Sequence, residues 1–127
     1  TFKAWISSNS ATDPESDFTR SSVPYRLIDG TKIADDWTDL TDGTLLNGIY
    51  MDEDGNIVNS VEIVWTNTDT DWTERGTTSD CLGWISSSSS GDANAGETGF
   101  ISTDWTYKAF YSNRCDNVEG HLYCFEQ

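Results

Sequence analysis

The sequence predicts a single domain of short strands and irregular loops, and three observations carry that reading. Six Trp, five Tyr and five Phe beside one Met make aromatic rings the main core material of the 127 residues. The polar fraction is dominated by Ser, Thr, Asp, Asn and Gly, which are the residues of turns. Apolar alternation comes in short bursts bounded by Gly, Pro and Asp, as strands require. A chain of this length can bury a core without a metal or a dense disulfide scaffold.

Taken in order, Phe2-Lys3-Ala4-Trp5-Ile6 alternates and reads as a first strand. Residues 7–17 read as a polar loop with a turn at Asp13-Pro14. Val23 to Ile28 reads as a strand closed by the hairpin turn Asp29-Gly30, and Thr31 to Ala34 returns from it. The segment Asp35 to Gly43 reads as a loop anchored by a buried Trp37, with Leu40 and Leu45 near helical spacing. Residues 49–65 read as a second hairpin around Asp52-Glu53-Asp54-Gly55-Asn56, with Val61, Ile63 and Trp65 on its firmly buried face. Thr66 to Gly99 reads as loop, including the exposed run Ser86 to Ser90. Trp105 to Tyr111 reads as a late aromatic strand, and Leu122-Tyr123-Cys124-Phe125 as the closing one.

Charge narrows the partners. Asp and Glu number 22 against 7 Lys plus Arg, a formal net charge of −15. Such a surface repels phosphate backbones, so nucleic acid is not expected, and an anionic membrane is disfavoured on the same ground. No apolar run approaches the ~20 residues that span a bilayer, so membrane insertion is not expected either. The acidity reads as solubility outside the cell or as oxygen ligands for a hard cation such as calcium.

Asp52, Asp54 and Asn56 have the alternating oxygen spacing of a calcium loop and are the candidate metal ligands. Gly55 falls one place early and Ile63 stands where the bidentate Glu belongs, so an acidic hairpin turn is the plainer account. Asp69 and Asp71 form a second candidate, and Asp35, Asp36, Asp39 and Asp42 a third that helix capping explains as well. Serine-nucleophile motifs, phosphate-cradling loops and dinucleotide fingerprints are absent, and with one His an enzyme is not expected. Exposed aromatics suit a binding surface, and Trp72 and Trp84 lie in loop-rich sequence.

The cysteines are three: Cys81, Cys115 and Cys124. Their spacing is unlike that of zinc sites, which use close pairs, although His121 could join Cys115 and Cys124. A Cys–His dyad needs an electropositive setting that this chain lacks. The favoured account is a Cys81–Cys115 bridge in an oxidising compartment, with Cys124 paired to a segment upstream of Thr1.

Phe2-Lys3-Ala4-Trp5-Ile6-Ser7, Val23 to Thr31, Ala34 to Gly43, Val64-Trp65-Thr66, Cys81 to Trp84 and Leu122 to Glu126 together resemble a bacterial secreted domain. That domain recurs in surface proteins, among them the endostatin-like outer-membrane proteins of leptospires. The resemblance implies an α+β, C-type-lectin-like fold: a twisted antiparallel sheet with a long loop region. It implies that residues 1–127 are one such domain lacking its N-terminal strand and a cysteine-bearing helix, with Cys81–Cys115 as the inner of two nested bridges. The calcium-and-sugar triplets of true lectins are missing, and Trp65-Thr66-Asn67 is their nearest echo.

The expected function is that of a secreted or cell-surface adhesion module. It would offer residues 66–104 to an extracellular protein or glycan through Asp69, Asp71, Trp72 and Trp84. A self-assembling structural subunit of a surface layer or filament is the alternative, and a polysaccharide-acting hydrolase ranks last.

Overall fold

A computed structural model describes residues 1–9, 11–58, 61–76, 80–109, 112–117 and 119–127. The architecture is mixed and strand-rich, with few helices and several short antiparallel sheets. Strand β1 (Phe2–Ala4) pairs with the closing strand β7 (Cys124–Glu126), Ala4 facing Cys124. Strands β2 (Tyr25–Arg26) and β3 (Lys32–Ala34) form the expected hairpin, turned at Gly30 with φ +92°. A three-stranded sheet joins β4 (Ile63–Trp65), β5 (Asp92–Glu97) and β6 (Ser112–Arg114) with β5 in the centre.

Two single-turn helices start on aspartate caps. Asp13 accepts from the Ser16 N–H at the head of α1 (Pro14–Asp17), where Pro14 supplies a preset φ. Asp36 accepts from the Asp39 N–H at the head of α2 (Trp37–Leu40), which buries Trp37 and Leu40. The loop expected over residues 7–17 thus contains a helix. The aspartates of 35–42 are spent on local structure. Asp39 accepts from the Asp35 N–H, Asp42 from the Thr44 N–H, and Asp35 pairs with Lys32.

The core is a cluster of rings around Trp5, which is fully buried. Its indole meets Phe18 edge-on at 5.3 Å and lies within 6.1 Å of Trp37, Trp72, Trp105 and Phe125. Its Nε1 donates to Thr106 Oγ1. Tyr123 and Phe125 point into this cluster from the C-terminal segment, while the Cys124 thiol between them faces outward. Burial and the neighbouring Glu97 charge push the Tyr123 phenol far above its ordinary range, and its hydroxyl donates to the Glu97 carbonyl.

Several sequence expectations need correction. The turn of the second hairpin forms, with Met51 bridged to Ile57 and the Val58 N–H donating to the Tyr50 carbonyl. Ile63–Trp65, however, pairs with β5 instead of returning along residues 49–51. Its faces are also reversed: Val64 is fully buried, Ile63 and Trp65 are half-buried, and Val61 is exposed. The stretch expected to be loop contains β5 itself. Ala93 and Ala95 are small enough to be fully buried, and Gly96 has no side chain to collide with the Trp105 carbonyl. Trp105 closes a 3-10 turn (Thr103–Trp105) instead of opening a strand, because Thr106 and Tyr107 donate back to Thr103. Phe110 and Tyr111, the end of that expected strand, lie outside the described residues.

Candidate functional site

The bridge between Cys81 and Cys115 is present, with Cα atoms 5.6 Å apart. It closes on an unusual piece of backbone. Cys81, Leu82, Gly83 and Trp84 all have positive φ, at 53°, 57°, 71° and 64°. The Trp84 N–H donates to the Asp80 carbonyl and the Ile85 N–H to the Cys81 carbonyl, so this is one turn of left-handed helix. For residues other than Gly that conformation costs roughly 1–2 kcal/mol each. Three of the four residues carry side chains, so the turn exists because its surroundings hold it.

Those surroundings are specific. The Trp84 Nε1 donates to the Ser7 carbonyl at 3.0 Å, and its ring meets Trp65 edge-on at 6.1 Å. Gly120 leaves room for the Trp65 indole, since a Cβ there would overlap it. Gly91 sits against the Cys115 sulfur, and the Cys115 N–H donates to the Gly91 carbonyl. Beneath the turn runs a buried polar network. Ser7 Oγ meets Thr68 Oγ1, Asn67 Nδ2 donates to the Ser7 and Gly76 carbonyls, and Asn94 Nδ2 donates to Asn67 Oδ1. Asp80, at the base of the turn, is buried, and its Oδ1 has no hydrogen-bond partner among the described residues.

The turn presents apolar side chains to solvent: Leu82 is 72% exposed and Ile85 87%. With the half-buried Trp84 and Trp65 they form an aliphatic and aromatic knob on a fixed base. Rigid aromatic and aliphatic anchors of this kind supply contact energy at interfaces with little ordering loss.

Of the binding residues expected from sequence, Trp84 belongs to this knob. Trp72 does not. It is a core residue with φ +69°, stacked on Trp105 at 6.1 Å and 20°, and it offers no free ring face to a partner. Asp69 and Asp71 lie on an adjoining loop. Asp69 pairs with Arg75 at 2.7 Å, and Arg75 covers the Tyr107 ring at 4.9 Å. Asp71 accepts from the hydroxyl and N–H of Thr73; the hydroxyl bond foremost holds its carboxyl below the ordinary range.

Asp52, Asp54 and Asn56 lie together in the 51–57 turn, away from the sequence of the knob. Asp52 accepts from the Asn56 side chain and from the N–H groups of Asn56 and Asp54, with the Asn56 side chain the main cause of its lowered pKa. Its carboxylate ties the turn together, and Gly55 takes the left-handed position at φ +86°. Among the described residues no group of three or more His, Cys, Asp and Glu side chains is placed to hold a metal ion. None of the described helices is long and apolar enough to cross a membrane.

Sequence reasoning missed Leu82, Ile85, Trp65 and Asp80. Gly83 is the one local signal, because a lone Gly two residues after Cys81 marks backbone that can turn left-handed. No protein-family model matches the chain, and no curated protein matches it.

Proposed function

We propose that this chain is a non-catalytic, extracellular binding module with a C-type-lectin-like, endostatin-like fold, which engages a protein or glycan partner through the 66–104 region. One observation carries the reading: a left-handed turn, clamped by a disulfide and an indole hydrogen bond, that holds Leu82 and Ile85 in solvent. Backbone kept in an unfavourable region and large aliphatic side chains kept in water both oppose stability. A binding surface is the use that accounts for both. The Cys81–Cys115 bridge supports an oxidising compartment, and it is the inner bridge that the fold would carry. Asp69 and Arg75 would form a polar rim beside the apolar centre.

The test is binding of the oxidised domain to arrays of extracellular matrix proteins and glycans, in calcium and in EDTA, with Leu82→Ser and Ile85→Ser alongside. The expected outcome is binding in both conditions that each substitution weakens roughly tenfold, as loss of a buried aliphatic contact requires. Binding abolished by EDTA and indifferent to both substitutions would transfer the site to the acidic turns. The second reading, a self-assembling surface subunit, draws on the exposed Cys124 thiol. A ladder of bands on a non-reducing gel would favour it.

A further inference from the structure

The acidic turn 51–57 borders a small cleft that the knob does not use. Three segments wall it: Ile49, Met51, Asp52, Glu53 and Val58 from the hairpin, Thr98 from the end of β5, and His121, Leu122 and Tyr123 from the C-terminal segment. Backbone hydrogen bonds fix these walls. The Gly99 N–H donates to the Ile49 carbonyl at 3.0 Å, the Val58 N–H to the Tyr50 carbonyl at 2.8 Å, and the His121 N–H to the Ile63 carbonyl at 2.8 Å. The Tyr123 hydroxyl is committed to the Glu97 carbonyl, so its buried ring contributes apolar surface. The cleft measures about 70 Å³, far below the roughly 300–1,000 Å³ of sites for drug-sized ligands. That volume matches a single side chain better than a sugar ring or a nucleotide.

We propose that this cleft receives a lysine side chain of a partner protein. The aliphatic stem would lie on Met51, Val58, Leu122 and the Tyr123 ring, while the ammonium stays at the mouth between Asp52 and Glu53. Charge complementarity selects this occupant over an aliphatic or acidic one. The Asp52 carboxyl is held ionised by its own turn, Glu53 is exposed beside it, and the whole chain carries −15. That field draws cations to the cleft and repels anions. The interaction is independent of the knob and stands if the reading of the knob fails.

The experiment is a ¹⁵N-resolved NMR titration of the oxidised domain at pH 7.5 with two probes of equal stem length, Nα-acetyl-lysine methylamide and Nα-acetyl-norleucine methylamide. The lysine probe is expected to shift Met51, Glu53, Val58 and Leu122 together and to bind at least about fivefold more tightly than norleucine, as an ion pair at the mouth would give. Glu53→Gln, an exposed change that leaves the turn intact, should reduce the lysine advantage about threefold. Val58→Lys, which fills the cleft from within, should abolish the shifts; Leu122→Ser serves if Val58→Lys loses its dispersed spectrum. Equal binding of the two probes, shifts scattered over the acidic surface, or undiminished binding to a folded cleft variant would overturn the proposal.

Discussion

The two halves of the molecule turn corners by different means. Among the described residues up to 58, every left-handed position is a Gly: Gly30, Gly43 and Gly55. Each corner also has an aspartate that accepts a nearby N–H: Asp29 from Thr31, Asp42 from Thr44, and Asp52 from Asp54 and Asn56. Among the described residues between 67 and 84 the left-handed positions are Asn67, Trp72, Cys81, Leu82 and Trp84, besides Gly76 and Gly83. In the first half the corners are locally determined. In the second they are imposed by a disulfide, a buried polar network and indoles packed from elsewhere in the chain. Strain is thus concentrated beside the surface proposed to bind.

The sharpest way to break this contrast is Trp72→Ala. Trp72 is buried against Trp5 and Trp105, so its loss should destabilise the fold by roughly 3–5 kcal/mol in chemical denaturation. A change below about 1 kcal/mol would instead mark it as a surface residue. Replacing Cys81 and Cys115 together by Ser should cost about 2–4 kcal/mol, given the sequence separation of 34 between them. Hydrogen exchange should quicken across 80–91 while the β2–β3 hairpin keeps its protection.

A matched pair sharpens the comparison further. Gly30→Ala meets no atom within 4 Å, so its expected loss of about 1 kcal/mol is purely conformational. Leu82→Gly should do the reverse. Leu82 packs little and sits at φ 57°, so thermal stability should be unchanged or rise by up to about 1 kcal/mol while binding falls.

The smallest effect concerns acid. The Asn56 side chain beside Asp52 and the Thr73 hydroxyl beside Asp71 hold both folded carboxyls below the ordinary aspartate value of 3.8. Their contribution is therefore fully present above that value and is lost as pH falls through the lower folded values. Melting curves should show no change from these groups between pH 7 and 5 and a decline below about pH 4. Asp52→Asn should blunt that decline slightly, because the site is solvent-exposed.

This division explains what could be read from the sequence. Asp29-Gly30, Asp52 to Asn56 and the Trp37 anchor were legible because each signal lies within a few residues of the structure it makes. The closing strand was legible because Tyr123 and Phe125 alternate with outward-facing residues. The central strand β5 was not, since Asp92-Ala93-Asn94-Ala95-Gly96-Glu97 contains no strongly strand-forming residue. What makes it a strand is close approach: Ala and Gly let β4, β6 and the Trp105 backbone come near. The same holds for the knob. Cys81-Leu82-Gly83-Trp84 says little alone, and its shape comes from Cys115, Ser7 and Trp65, all distant in sequence. The Cys81–Cys115 bridge was foreseen, but the conformation it holds was not.

The sorting of the six indoles has an optical consequence. Trp5, Trp37, Trp72 and Trp105 share one dry cluster, whereas Trp65 and Trp84 form a separate, half-wet pair at the knob. The first group should emit at short wavelength and resist collisional quenchers, and the second should emit farther to the red and be quenched. A single emission spectrum therefore carries two clocks, one for collapse of the core and one for occupation of the knob, without any added dye.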